Sequence, residues 1–318
     1  MQKGNITEAM INEYTKIAYY YHKAGFTQEE IANKMNMSRQ RVNRILAECI
    51  SLGIVQIHVV NINENYMDIE AGLEKKFNLK GACVMNNLIK ENIYVDLGMA
   101  AGRYIGNFIN EGDTVGFSRG RATAAMVDYM PLLRKENLTV TQLLGSANHD
   151  REHVAVDDIV HNFAVKLQAK PVMLYAPVIV QSSELQNSII KEPFFQEAYN
   201  TVRNCNVAIV GIGTASGQTE HLLPLNAIQE TEDDKEKMER AVGEVGTHFF
   251  DAEGRPVIPS YRNRIIAISL EDYLNIPIRI GIAGLPEKAD AIYAALKGGY
   301  INVLVTDLET AKILKQKP

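Results

Sequence analysis

Between residues 82 and 306 the chain alternates short, β-rich apolar runs with stretches of helical period, and this alternation constrains its fold more than any other feature. The β-rich runs are 82–85, 114–117, 138–144, 172–175, 207–211, 264–269, 278–283 and 301–306. Helix-compatible stretches lie between most of them, at 92–110, 122–135, 153–169, 193–203 and 287–297. Strands that are apolar at consecutive positions are covered on both faces, and strands joined through helices pair in parallel. The pattern predicts an α/β body, a doubly wound, mostly parallel sheet. A hydrophobic content of 46% over 318 residues supplies the core. No apolar run reaches the roughly 18–20 residues of a membrane helix and no export signal is visible, so a cytoplasmic protein without a membrane partner is expected.

The first sixty residues follow a different pattern. Ile11, Tyr14, Ile17, Ala18 and Tyr21 recur at helical spacing, and Gly25 stops that helix. Thr27 and Glu30 have the spacing of a capping box ahead of Ile31, Ala32 and Met35. Asn36 and Met37 make a turn, and Ser38 can cap a third helix. Val42, Ile45, Leu46, Cys49 and Ile50 line one face of that helix. The other face carries Gln40, Asn43, Arg44 and Ala47, flanked by Arg39 and Arg41. A short helix, a tight turn and a longer helix form a helix-turn-helix, which lays its last helix in the major groove of DNA. Gln and Asn suit adenine edges there, and Arg suits guanine edges or phosphates. The DNA-contacting set is therefore Thr27, Ser38, Arg39, Gln40, Arg41, Asn43 and Arg44. Residues 54–60 alternate as a strand, one arm of a wing. The domains expected are a DNA-binding head over 1–60 and an effector-binding, oligomerising body over 61–318, with a helix over 66–78 linking them.

Charge divides along the same line. Residues 1–60 hold seven Lys or Arg against five acids, a net of +2, and the rest of the chain carries −7. An acidic body with a basic head is expected to meet a polyanion through the head alone. One head offers little contact area, so a homodimer or homotetramer reading repeated half-sites of double-stranded DNA is expected.

Ligands of doubly wound sheets bind beyond the carboxyl ends of the strands. The loop after 114–117 holds Ser118, Arg119, Gly120, Arg121, Ala122 and Thr123, with a glycine, two hydroxyls and two cations at a helix start, which suits a phosphate. Gly145 to Asn148 and Tyr175 to Pro177 are turn-prone strand ends. Gly211, Gly213 and Gly217 approach a dinucleotide fingerprint, but the last glycine is one place late and no suitably spaced acid follows, so no nucleotide cofactor is expected. Lys288 lies in the first turn of a helix, where a bound anion would offset its conflict with the helix dipole. His149 and His153, four apart with His161 eight further on, have no assignable third ligand for a metal, and the three cysteines, Cys49, Cys83 and Cys205, are too scattered for a disulfide framework or zinc. The charge-dense stretch 230–240 reads as solvated surface.

Several motifs run through the body: Gly116-Phe-Ser-Arg-Gly-Arg121, Leu174-Tyr-Ala-Pro177, Val207-Ala-Ile-Val-Gly-Ile-Gly213, Ala241-Val-Gly-Glu-Val-Gly246, Phe249-Phe-Asp-Ala-Glu-Gly-Arg-Pro256, Ile280-Gly-Ile-Ala-Gly284 and Gly298-Gly-Tyr-Ile-Asn-Val-Leu-Val-Thr-Asp307. Together with the head they resemble the SorC family of transcriptional regulators, over essentially the whole chain. The resemblance implies an oligomeric bacterial repressor of a carbohydrate operon, with a body related in fold to sugar-phosphate isomerases but used as a sensor of phosphorylated sugars. By position it implies effector contacts from Ser118, Gly120, Arg121, Ala122, Thr123, Gly145, Ser146, Asp157, Tyr175 and Gly211, with Asp251 for sugar hydroxyls and Lys288 for phosphate. The chain departs from the family at Arg119, where many members have Trp, at Ser146, which interrupts a Gly-Gly pair, and at Leu285-Pro286. The alternative is an isomerase-like enzyme carrying a DNA-binding head, for which no acid–base pair stands out.

Overall fold

Three helices make the head: α1 (Glu8–His22), α2 (Gln28–Met35) and α3 (Arg39–Ser51). They belong to a computed structural model that describes residues 8–55, 66–86, 92–147, 155–215 and 231–318. The Thr27 hydroxyl accepts from the Glu30 amide while the Glu30 carboxylate accepts from the Thr27 amide, closing the capping box. Asn36, at φ 54°, turns the chain, and Ser38 Oγ accepts from the Arg41 amide at 3.2 Å to start α3. Tyr14, Ile17 and Ala18 pack on Ile31, Ala32, Val42, Ile45, Leu46 and Cys49. Ile50 departs from the expected buried face and is 50% exposed. At 100° per residue it sits about 80° round the helix from Val42, on the flank. Ile11 and Tyr21 are also exposed, because α1 is covered only along its middle. Of the wing arm expected over 54–60, Ile54 and Val55 are not in a strand and pack on the head's core, and 56–60 lie outside the described residues.

The body, separated from the head as the unit Asn65–Pro318, opens with α4 (Met67–Phe77) and β1 (Gly81–Met85). There follow α5 (Ile93–Tyr104), β2 (Thr114–Phe117), α6 (Arg121–Tyr129), β3 (Thr139–Gln142), α7 (Val156–Leu167), β4 (Lys170–Val172), α8 (Ser183–Lys191), α9 (Pro193–Arg203) and β5 (Val207–Gly211). After β6 (Gly213–Thr214) come α10 (Glu232–Glu239), β7 (Gly243–Val245), β8 (His248–Phe250), β9 (Pro256–Val257) and α11 (Leu270–Asn275). The chain closes with β10 (Ile278–Ile282), α12 (Ala289–Lys297), β11 (Val303–Asp307) and α13 (Leu308–Gln316). Seven strands form one sheet in the order β1-β11-β10-β5-β2-β3-β4, every neighbour parallel. Its inner strands are apolar on both faces, as in Val207 to Val210 and Val303 to Val305, all buried. The chain runs outward from β2 through β3 to β4, then returns to β5 on the other side of β2. That reversal leaves a crevice beyond the carboxyl ends of β2 and β5.

Both edges of β1 are occupied. One pairs with β11, and on the other Glu74 accepts from the Ala82 amide at 2.8 Å and Glu70 from the Val84 amide at 2.7 Å.

Four expectations are corrected. Residues 264–269 are not a strand of the sheet. Ile265, Ile266 and Ile268 are buried, which gives the stretch its β-like composition, but they make single bridges to the loops around Leu144 and Ile179. A second, antiparallel sheet, β6-β7-β8-β9, occupies a region where no strands were expected, because its strands of two or three residues are too short to show a period. The stretch 230–240 is not wholly solvated. Thr231 caps α10, and the buried Asp234 carboxylate accepts from the Ser260 amide at 2.6 Å and the Ser260 hydroxyl at 2.7 Å. Burial alone would raise Asp234, but these bonds and those from Thr231 outweigh it and bring it to about 2. The helix expected over 122–135 also ends early, at Tyr129.

Candidate functional site

Ser118 ends β2 at the strand reversal and ties its two sides together. Its amide donates to the Ile209 carbonyl, and its hydroxyl accepts from the Gly211 amide at 3.2 Å. Gly120 is the N-cap of α6 and supplies no side chain, so no side-chain cap covers the first amides of the helix, and its first turn carries no acid. A Cβ at Gly120 would come within 3.0 Å of Thr123 Oγ1. Thr123 is fully buried and donates to the Gly120 carbonyl at 2.7 Å, which fixes the turn, while Ala122 is buried beside it. The result is an open helix start, electropositive through its unpaired amides and its dipole.

Two cations meet at this helix start around one aromatic ring. Arg121 donates to the Tyr94 hydroxyl at 2.7 Å and lies 4.1 Å from the Tyr94 ring centroid. Lys288 Nζ is 5.7 Å from the same centroid and reaches the Ile212 carbonyl at 3.4 Å. Burial, then the Arg121 charge, lower the Lys288 pKa, with Glu244 and Glu287 pulling the other way. Lys288 is presented by a strained turn. Leu285 holds φ at +88°, a region costly for a branched side chain. Its amide is held by Asp307 Oδ2 at 2.7 Å, and a Cβ at Gly284 would lie 2.4 Å from the same oxygen. Tyr94 was not anticipated from sequence. It stands on the first turn of α5, and only the fold brings it to the loop after β2.

Glu244 is the other residue missed. It lies on β7 with its Cα opposite Gly213, 6% exposed, and its Oε2 has no hydrogen-bond partner. Burial pushes its carboxyl up to about 8, against the opposing pull of Arg119 and Lys288. Its signal in the sequence was an acid within an otherwise apolar strand. Nearby, burial first and the Arg262 charge second hold His248 down to about 3.

These two groups set opposite pH slopes. Between its unfolded value of 4.5 and about 8, native Glu244 keeps a proton that the unfolded chain has lost, so stability falls as pH rises, by up to about 1.4 kcal/mol per unit. Between about 3 and 6.5 the unfolded chain binds a proton that native His248 refuses, so stability falls as pH drops. The slopes cancel between 4.5 and 6.5 and give a plateau. Denaturant unfolding across pH 4 to 8.5 should show that plateau with a decline above it, and Glu244→Gln should remove the alkaline decline. An unchanged alkaline limb in Glu244→Gln would contradict this assignment.

The loop after β3 adjoins the first. Gly145 is obligatory, since a Cβ would sit 2.6 Å from the Ala176 carbonyl oxygen. Ser146 Oγ donates to the Asp157 carboxylate at 2.7 Å. Tyr175, at φ 46°, follows β4 but is 75% exposed, its ring stacked on Phe194. Asp251 departs from the expected role. Its Oδ1 accepts from the Glu253 and Arg255 amides, each at 2.9 Å, and so forms the turn between β8 and β9. That turn abuts Gly298, at the far end of α12 from Lys288. Asn148, His149, His153, Ser216 and Gly217 lie outside the described residues. Among the described residues no cluster of His, Cys, Asp and Glu is arranged to hold a metal.

In the head, Arg39, Gln40, Arg41, Asn43, Arg44 and Ala47 are all exposed on α3. Arg41 pairs with Glu13 at 3.2 Å and Arg44 with Glu48 at 3.7 Å, while Gln28 donates weakly to Asn43. Thr27 and Ser38 serve as the N-caps of α2 and α3.

Residues 62–315 match the Sugar-bind family of sugar-binding domains. The chain belongs to this family. Residues 15–51, which include α2 and α3, match region 4 of sigma-70. The chain is 28% identical over 299 residues to the deoxyribonucleoside regulator of Bacillus subtilis (strain 168), covering 93% of this chain and 95% of that one. It is 28% identical over 302 residues to the transcriptional regulator LsrR of Escherichia coli (strain K12), covering 94% and 93%. The full-length sorbitol operon regulator SorC of Klebsiella pneumoniae shares its structure at a TM-score of 0.73 and 27% identity, over 97% of this chain and all of that one. Whole-length similarity, the head and the sugar-binding body together make this chain a DNA-binding transcriptional regulator of the SorC type, controlled by a sugar effector. No helix among the described residues is long and apolar enough to cross a membrane.

Proposed function

We propose that this regulator represses a carbohydrate-utilisation operon in the cytoplasm, and that a phosphorylated sugar at the carboxyl edge of the body releases it from operator DNA. One observation carries the reading: the uncapped, acid-free start of α6 meets Arg121 and Lys288 around Tyr94. Such an arrangement suits a dianion and is wasteful for a neutral sugar. Glu244, uncharged over most of the neutral range, leaves the cradle positive and offers a carboxyl to sugar hydroxyls. The effector works only by binding one arrangement of a homodimer or homotetramer better than another. No catalytic step is assigned; the relatives are named as regulators.

The test is thermal unfolding of the full chain with pentose and hexose phosphates and their unphosphorylated counterparts. A ligand at a hundred times its Kd adds about 2.7 kcal/mol of stability. The phosphorylated compound should stabilise the protein and displace operator DNA, and its free sugar should do neither. Equal affinity for a sugar and its phosphate would overturn the assignment.

A further inference from the structure

The structure assigns the end of the effector away from the phosphate to Gln142, Ser146 and Asp157, and we infer that this end carries free hydroxyls and that a second phosphate is rejected. The inference rests on the proposed phosphate cradle and concerns what lies one strand further along. Phe117 pairs with Gln142 in the parallel register, so β3 ends about 4.8 Å to the side of β2. A pentose or hexose whose phosphate sits at the start of α6 extends over that neighbouring strand end.

The chemistry there has a fixed direction. Gln142 is fully buried, and its Nε2 donates to the Leu144 carbonyl at 2.9 Å and toward Ser146 Oγ at 3.4 Å. Ser146 has one proton, and it goes to Asp157 at 2.7 Å. The side-chain donors of Gln142 and Ser146 are therefore spent among the described residues. What remains are acceptors: Gln142 Oε1, buried with no partner, and the remaining lone pairs of the Asp157 carboxylate. Acceptors without donors call for a ligand that donates, which a hydroxyl does and a phosphate dianion does not. A buried acceptor left unmatched is costly, so the ligand gains by supplying the hydrogen bond.

The helix starts make the same contrast. α6 begins without an acid, whereas the first turn of α7 already holds Asp157 and Asp158. Those carboxylates occupy the electropositive end that a second phosphate would need, and they repel it. The effector is thus a sugar monophosphate, oriented with its phosphate at Arg121 and Lys288.

Isothermal titration of the full chain with fructose 6-phosphate, fructose 1,6-bisphosphate, ribose 5-phosphate, ribose 1,5-bisphosphate and inorganic phosphate tests this. At least one monophosphate should bind more than tenfold tighter than its own bisphosphate. Asp157→Asn should narrow that gap to within about threefold while still binding operator DNA, which serves as the control for folding. A bisphosphate that binds as tightly as its monophosphate, or a gap unchanged in Asp157→Asn, would overturn the inference and leave the phosphate cradle standing. If none of the phosphorylated compounds binds, the cradle itself fails and this inference fails with it.

Discussion

Lys288→Ala combined with Arg121→Ala is expected to weaken effector binding by at least a hundredfold while leaving operator binding intact. Each cation would make a charge-assisted bond to the phosphate, worth about 1.5–3 kcal/mol, or roughly ten- to a hundredfold in affinity. The double loss should exceed the sum of the two single losses because the two charges already interact: the Arg121 charge lowers the Lys288 pKa. Removing Arg121 alone relieves its repulsion of Lys288, so the single Arg121 variant should lose less than the Lys288 variant. Tyr94→Phe isolates the anchoring of Arg121, since it deletes the 2.7 Å hydrogen bond but keeps the ring under the guanidinium. It should cost only a fewfold. Titration calorimetry reads affinity and a gel-shift assay reads operator release. A double variant that still responds to inducer at unchanged concentration would remove the phosphate from this place.

The second large effect is in the head. Gln40→Ala and Asn43→Ala together are expected to abolish preference for the operator over unrelated DNA, because each bidentate base contact is worth about 1–3 kcal/mol of discrimination. Arg44→Ala should instead weaken binding to all sequences and lower the salt slope by about one. The ion pairs Arg41–Glu13 and Arg44–Glu48 do not stand in the way. All four side chains are substantially exposed, and exposed pairs contribute at most about 1 kcal/mol, so DNA phosphates compete for the arginines at little cost. None of these substitutions touches the head's core, since the three positions face solvent. Fluorescence anisotropy over a range of salt concentrations, with operator and scrambled duplexes, separates the two classes. Full operator preference in the Gln40/Asn43 double variant would exclude α3 as the reading helix.

What the sequence disclosed and what it hid follow from the range of the forces involved. The strands 114–117 and 207–211 coincide with β2 and β5, because both are central, apolar on both faces and bounded by turn residues. Thr27 and Ser38 cap as their spacing requires, since caps act over three residues. The glycine turn after β2 and the helix it opens were legible for the same reason. Contacts assembled by topology were not. Tyr94 and Lys288 are nearly two hundred positions apart in the chain, and nothing local to either announces a shared ring. Near the small sheet, the family resemblance named Asp251, which lies in the turn after β8. Its Oδ1 accepts from the amides of Glu253 and Arg255. Glu244, one of the buried residues of β7, is the acid with an unsatisfied oxygen.

The carboxylates of Glu70 and Glu74 along β1 bear on how copies of the chain can come together. An exposed strand edge invites growth of the sheet by another molecule. Here the Ala82 and Val84 amides are already claimed from within the same chain. A neighbour adding a strand on that side would first have to evict two acidic side chains of α4. A continuous intermolecular sheet across β1 is therefore disfavoured, and a second copy meeting the chain on that side would meet side-chain surfaces, where geometry can be specified and fibres do not start.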